Sequence, residues 1–256
     1  MPFKPEKYQT TTVVWRKDFA DDLWSIRIRP EEQLVFQPGQ YATLAIELGS
    51  EVVERPYSIV SSPREQEIEF FFELVPHGGL TPRLHEVKVG EKILMRRQAK
   101  GRFTLDEKSG HKQHLMVATV TGVAPHVSMV RTLAFDAKRS GNTGLRVVVL
   151  ESASRSWEFG YDQELRQLAE AHSWLTYIPT ISRSWEDPTW KGEVGRAEDI
   201  LRKYMDSLGL VPETTTAYLC GQPQMVANAR GILQRRGFTK EFVREEVYWV
   251  PQKEEK

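Results

Sequence analysis

The sequence predicts two domains: an antiparallel β-barrel over residues 1–106, followed by an α/β doubly wound parallel-sheet domain over residues 111–256. Three observations carry that expectation. The first hundred residues contain short runs rich in β-branched and aromatic residues, broken by Gly and Pro turns. From about His114 onward, strand-like and helix-like segments alternate, the pattern of a parallel sheet covered by helices. Between them, Asp106-Glu107-Lys108-Ser109-Gly110 reads as a linker.

The elements follow in order. Thr11-Thr12-Val13-Val14-Trp15 and Leu23-Trp24-Ser25-Ile26-Arg27-Ile28-Arg29 read as strands, the second alternating with period two. Pro38-Gly39-Gln40 marks a turn, and residues 41–48 a further strand. Arg55-Pro56-Tyr57-Ser58 closes another β-like run that continues through Ile59-Val60. Residues 68–75, with Phe70, Phe71 and Phe72 together, end at Gly78-Gly79. A short helix is expected over residues 81–87, where Thr81 suits the cap and Pro82 the first helical position. Residues 92–96 form the next strand. In the second half, strands are expected at 115–118, 145–150, 174–179 and 216–220, and helices at 127–138, 161–172, 197–208 and 223–236.

Bulk properties exclude several classes. Hydrophobic residues make up 40% and charged residues 27% of 256, ordinary for a globular chain. Formal net charge is zero, so no global field favours nucleic acid or an anionic membrane. No apolar run approaches the roughly 20 residues of a membrane span. No apolar run follows the charges near the N-terminus, so no signal peptide is expected, and the cytoplasm is the expected location. The single cysteine, Cys220, rules out an internal disulfide and an all-cysteine metal or cluster site within the chain. The six histidines show no metal-ligand spacing, and no metal is expected.

Five segments have the residue types for nucleotide chemistry. Arg55-Pro56-Tyr57-Ser58 offers a guanidinium for phosphate, a plane for stacking and a hydroxyl for a ring nitrogen. An ordinary Arg–Tyr surface pair is the plain alternative. Thr119-Val120-Thr121-Gly122-Val123-Ala124-Pro125 is a small-residue turn between a buried strand and a helix, where backbone N–H groups meet phosphate. Arg155, Ser182-Arg183 and Arg196 lie beyond strand ends, where arginines suit a ribose 2′-phosphate and an acidic residue would suit a free hydroxyl. Cys220-Gly221-Gln222-Pro223 ends a strand; a lone strand cysteine is usually core filler. Glu245-Glu246-Val247-Tyr248-Trp249 reads either as an aromatic edge strand or as part of a site.

In order, these segments resemble the bacterial-type ferredoxin/flavodoxin–NADP reductase family, from about Phe36 to Trp249. The match includes Arg-x-Tyr-Ser, then Phe71 to Pro76, then Gly79-Leu80-Thr81-Pro82-Arg83-Leu84, and the Cys-Gly-x-Pro-x-Met segment at Cys220. Val120 stands where many members carry Gly. The resemblance implies an FAD-binding barrel and an NADP(H)-binding α/β domain, with the active site in the cleft between them. It implies that Arg55 holds the flavin pyrophosphate, with Pro56 in the same motif, Tyr57 stacks on the ring system and Ser58 lies near N5. Gly79, Leu80 and Thr81 would cradle phosphate, and Phe71 and Val75 would line the flavin or adenosine. Thr121 and Gly122 would take the NADP(H) pyrophosphate, Arg155, Ser182, Arg183 and Arg196 the 2′-phosphate, and Cys220 and Gly221 the nicotinamide. Glu246 is expected beside the transfer, and Tyr248 or Trp249 over the flavin. The implied partner is ferredoxin or flavodoxin, met transiently by a monomer. An oxygenase reductase component or a flavin reductase is the alternative, and a binding module without turnover a third reading.

Overall fold

A computed structural model of the chain describes residues 5–49, 51–140 and 144–248. They form two compact units, the described residues of 5–105 with 124–140 and 157–172, and those of 106–123 with 144–156 and 173–248.

The first unit holds strands β1 (Tyr8–Ala20), β2 (Leu23–Pro30), β3 (Tyr41–Leu48), β4 (Glu51–Ser58), β5 (Ile68–Glu73) and β6 (Lys92–Arg96). They form one antiparallel sheet in the order β4-β3-β6-β1-β2-β5. Its two edges meet where Ile59 bridges Phe70 and the Val60 N–H donates to the Glu69 carbonyl at 2.9 Å, closing the expected barrel. Pro56 sits inside β4, which is tolerable because β4 is at the sheet's end and the missing N–H faces no ladder partner. Trp24, Ile26, Leu44, Phe70, Phe72 and Met95 fill the interior. Helix α1 (Thr81–Glu86) sends Leu84 into that core, beside Leu80 of the preceding turn.

β5 has two buried faces. Phe70 and Phe72 point inward, while Glu69 and Phe71 face helices α2 (Ala124–Ser140) and α3 (Asp162–Ala171) of the same unit. Glu69, 1% exposed, accepts from Arg27 at 3.1 Å, Arg131 at 2.8 Å and the Tyr161 hydroxyl at 2.7 Å. Arg131 also grips Glu164 with two bonds of 2.6 and 2.8 Å. Burial alone would raise the Glu69 carboxyl; the charge and hydrogen bond of Arg131, with Arg27 and Tyr161, outweigh it and hold the group below its ordinary value.

In the second unit, β7 (Gln113–Thr119), β8 (Arg146–Ala153), β9 (Leu175–Ile181), β10 (Glu193–Val194), β11 (Thr215–Gly221) and β12 (Val243–Val247) make a parallel sheet. Its order is β10-β9-β8-β7-β11-β12. Helices α4 (Ala197–Leu208) and α5 (Pro223–Arg235) bury Ile200, Leu201, Val226 and Leu233 against Val117, Val148 and Leu219. The strand order reverses between β7 and β11, which creates the crevice where open α/β sheets bind ligands. Both predicted sheet types are therefore present. β10 and β12 add short edge strands, the latter overlapping the Glu245–Trp249 segment at Glu245, Glu246 and Val247.

Val120 begins the 3-10 turn that leaves β7, and its φ of 43° is the only positive value outside glycine among the described residues. A β-branched residue in this region is held there by its surroundings, at a cost of about 1–2 kcal/mol.

Three expectations follow. Glu69→Ala should cost about 3 kcal/mol in urea unfolding, the low end for a broken buried pair, because Glu164 still holds Arg131. Val120→Gly should raise stability by up to about 1 kcal/mol, strain relief exceeding glycine's added unfolded-state entropy; a less stable variant would refute the strain. The third concerns His126, fully buried with no hydrogen-bond partner among the described residues for either ring nitrogen. Burial pushes its pKa from 6.5 down to about 3. The folded chain refuses a proton that the unfolded chain accepts below 6.5. The folded state is therefore favoured above that pH and loses about 1.4 kcal/mol per unit as pH falls toward 3. Relative to the wild type, His126→Phe should gain about 2 kcal/mol between pH 7 and pH 5. Parallel stability curves for the two proteins would contradict this.

Candidate functional site

In the barrel unit, Arg55 and Tyr57 share one face of β4, as two-residue alternation requires. Arg55 is exposed and anchored by a 2.7 Å bond from its Nη1 to the Glu54 carbonyl. Tyr57 is partly buried, meeting Phe72 edge-on at 4.9 Å, and burial pushes its hydroxyl well above its ordinary pKa, so it stays neutral. Ser58 is 6% exposed on the opposite face. Gly79 lies beside Arg55: a Cβ there would stand 3.3 Å from Val53 and 3.8 Å from the Arg55 guanidinium. The N–H groups of Gly79, Leu80 and Thr81 find no acceptor among the described residues, so cation and free donors share one corner. That arrangement fits an anion such as a pyrophosphate.

Not every predicted side chain faces that corner. Leu80 is 1% exposed in the barrel core. The Thr81 hydroxyl accepts from the Val75 N–H at 3.0 Å and donates to its carbonyl at 3.3 Å. Both residues have only backbone N–H groups left to offer. Phe71 is 4% exposed and edge-on to Phe19 and Tyr161, with Gly160 against its ring, so little of it is left for a ligand. Val75, 39% exposed, retains an accessible face.

In the second unit, the two predicted turns flank the point of strand reversal. Ala118 of β7 pairs with Cys220 of β11. Gly122 then lies so close to the neighbouring turn that a Cβ would stand 2.4 Å from the Cys220 carbonyl oxygen. Gly221, at φ 126°, has no room for a side chain beside Thr119. The Thr119 hydroxyl accepts from the Gln222 N–H at 2.8 Å, and Gln222 caps α5 through Met225 at 2.7 Å. Together these contacts fit a dinucleotide backbone at the strand ends. Cys220 is fully buried; burial, then the neighbouring Glu246 charge, raises its thiol well above the ordinary value. It remains a protonated thiol and not a nucleophile.

Glu246 pairs with Cys220 across β12 and β11. Tyr248 extends that pairing by donating its N–H to the Gly221 carbonyl, while its hydroxyl donates to the Thr121 carbonyl, both at 3.1 Å. Its ring is thus tethered to the β7 turn. Trp249 lies outside the described residues.

Backbone bonds bring the predicted arginines to adjacent strand ends. The Ser182 and Arg183 N–H groups donate to the Ala153 and Ser154 carbonyls at 3.0 Å, placing them beside Arg155. The Gly195 N–H donates to the Ile181 carbonyl at 2.8 Å, which sets Arg196, following β10, beside the end of β9. The backbone N–H of Arg196 donates to Asp199 at 3.0 Å, while its exposed guanidinium has no acidic partner among the described residues. Arg155 and Arg183 do have one: Glu186, which a reading of the arginines alone overlooks. The signal was available as a pentapeptide, Ser-Arg-Ser-Trp-Glu, present at both 154–158 and 182–186. No group of His, Cys, Asp and Glu among the described residues is arranged to hold a metal ion.

Known proteins resemble this chain in sequence and fold. The oxidoreductase FAD-binding domain family matches residues 17–104, and the oxidoreductase NAD-binding domain family matches residues 116–231. A flavodoxin/ferredoxin–NADP reductase of Escherichia coli (strain K12) is 30% identical over 221 residues, covering 84% of this chain and 85% of that protein. The ferredoxin–NAD(P)(+) reductase component of a Pseudomonas putida naphthalene 1,2-dioxygenase system is 31% identical over 248 residues, covering 96% of this chain and 70% of that one. A crystal structure of a ferredoxin NADP+ reductase from Neisseria gonorrhoeae with bound FAD and NADP shares the fold at a TM-score of 0.82 and 22% identity, over 95% of this chain and 99% of that one. With a family match in each half and relatives spanning most of its length, the chain belongs to the family of FAD- and NAD-binding oxidoreductases that includes the flavodoxin/ferredoxin–NADP reductases.

Proposed function

We propose that this chain is an FAD-dependent reductase that exchanges electrons between NADP(H) and a one-electron carrier of the ferredoxin or flavodoxin kind. The carrying observation is that each unit holds its own anion corner: Arg55 with the free Gly79–Thr81 N–H groups in one, and the strand-reversal turns with the arginines in the other. Residues 1–106 would form the FAD domain and 111–256 the NADP(H) domain. A bound flavin supplies the conversion between hydride transfer and single-electron exchange.

In this reading, Arg55 pairs with the flavin pyrophosphate, and the backbone at Gly79, Leu80 and Thr81 shares that charge. Pro56 fixes the backbone between the guanidinium and the ring of Tyr57. Tyr57, neutral and braced by Phe72, stacks on the ring system, and Ser58 lies at its polar edge. Val75 borders the same group; Phe71 supports it from the core. Thr121 and Gly122 receive the coenzyme pyrophosphate, and Ser182, Arg183, Arg155 and Arg196 its 2′-phosphate. Cys220 and Gly221 hold the nicotinamide position, with Glu246 and Tyr248 completing it. The protein works in the cytoplasm as a monomer and meets its carrier transiently. The reading as an oxygenase-system reductase is favoured by the Pseudomonas putida relative, and with one cysteine these 256 residues supply no set of cysteine ligands for an iron–sulfur cluster of their own.

Purified protein should be yellow with bound FAD and should oxidise NADPH with ferricyanide. It should reduce cytochrome c only when ferredoxin or flavodoxin is added. Preference for NADH and free flavin would move the assignment to a flavin reductase. Arg183→Ala and Arg196→Ala should each raise KM for NADPH by roughly tenfold or more while leaving NADH nearly unchanged, as expected for lost charge-assisted bonds. Equal losses with both coenzymes would remove the 2′-phosphate role.

A further inference from the structure

The duplicated pentapeptide places an arginine at the end of each of two neighbouring strands, β8 and β9, and each copy turns into a 3-10 segment. The glutamate of the second copy serves both arginines. Glu186 Oε2 accepts from Arg155 Nε at 2.6 Å, and Oε1 lies 3.7 Å from Arg183 Nη1. The loops do not need this carboxylate for their shape. Backbone bonds from Ser182 to Ala153 and from Arg183 to Ser154 join them, and Asp187 accepts the Ser156 N–H at 3.1 Å. All three charged side chains remain accessible, at 27% for Arg155, 35% for Glu186 and 48% for Arg183.

We propose that Glu186 is an internal competitor for the coenzyme's 2′-phosphate: it occupies the Arg155–Arg183 pair until a phosphate displaces it, and so sets the preference between phosphorylated and unphosphorylated coenzyme. The inference rests on the reading of this corner as the 2′-phosphate site. A phosphate monoester carries about −1.5 to −2 charges at neutral pH and offers three strong acceptors, so it outbids a carboxylate for planar guanidinium groups. Partly solvated ion pairs hold weakly, so the exchange is open to a competing anion. The carboxylate nevertheless stays nearby and repels the incoming charge. While it is there, it offsets part of the positive charge of the two guanidinium groups; removing it removes that offset. Because the backbone bonds and Asp187 already order the loops, removing the carboxylate sacrifices little pre-organisation. Glu186 therefore reduces discrimination in favour of the 2′-phosphate.

The test is calorimetric titration of the FAD-loaded protein with adenosine 2′,5′-bisphosphate and with AMP, which lacks the 2′-phosphate. Glu186→Gln keeps the shape and removes the charge; Glu186→Ala serves as a second variant. Either should tighten the bisphosphate about three- to tenfold, the scale of two partly exposed ion pairs, and change AMP by less than about twofold. The gain should shrink as salt shortens the screening length from about 10 Å to about 3 Å. It should fall when Arg155 and Arg183 are both alanine, because only the direct repulsion by the carboxylate is then left to remove. If the wild type prefers the bisphosphate but the Glu186 variants bind it equally or more weakly, the competitor role is wrong and the coenzyme reading stands. If the wild type binds both ligands equally, the coenzyme reading fails and takes this inference with it.

Discussion

Backbone meets backbone where the parallel sheet reverses its strand order, and the rest of the second unit is arranged around that approach. Gly122, leaving β7, lies against the Cys220 carbonyl, and Gly221, leaving β11, lies against Thr119. Neither position has space for a methyl group. The hydroxyl of Thr119 then ties the two turns together through the Gln222 N–H. Burial of β7 and β11 beneath α4 and α5 makes the approach rigid. A ligand at these strand ends meets fixed N–H groups, which is what charge recognition requires of a backbone.

The barrel unit solves a different problem. Its candidate binding strand, β4, is at one end of the sheet and contains a proline, so it can present Arg55 and Tyr57 without continuing the ladder. Strand β5 supports this from both faces. Phe72 braces Tyr57 on the inner side, while Glu69 on the other side is held ionised in a nearly dry setting by Arg131, Arg27 and Tyr161. Burying that carboxylate is costly, and only its complete set of partners makes it stable. The network fastens α2 and α3 to the barrel strand.

Charge balance over the whole chain conceals local structure. Equal numbers of acidic and basic residues give a net charge of zero, yet three arginines cluster after β8, β9 and β10, with Glu186 shared between two of them. Exposed pairs of this kind contribute little to stability. Their consequence lies in what they offer an incoming phosphate, and in how much of that offer is already taken.

The linear chain determined the order of elements, because hydrophobic period and Gly/Pro punctuation are local properties. Alternating residues 23–29 announced a strand, and the strand–helix rhythm after His114 announced a parallel sheet. The placement of Arg55 and Tyr57 on one face of a strand, and of Gly122 and Gly221 in turns at strand ends, was legible too, since alternation and glycine punctuation are local. What the chain could not state was which partners each side chain meets, because those lie far away in sequence. Phe71 reads as a ligand-facing ring until Phe19 and Tyr161 are seen around it, and Thr81 reads as a helix cap until Leu80 takes that position and the Thr81 hydroxyl is found on Val75. Glu186 is one carboxylate among many until folding sets β8 beside β9 and delivers it to two arginines at once. Local pattern reports backbone preference; only packing across strands assigns hydrogen bonds and charges to their partners.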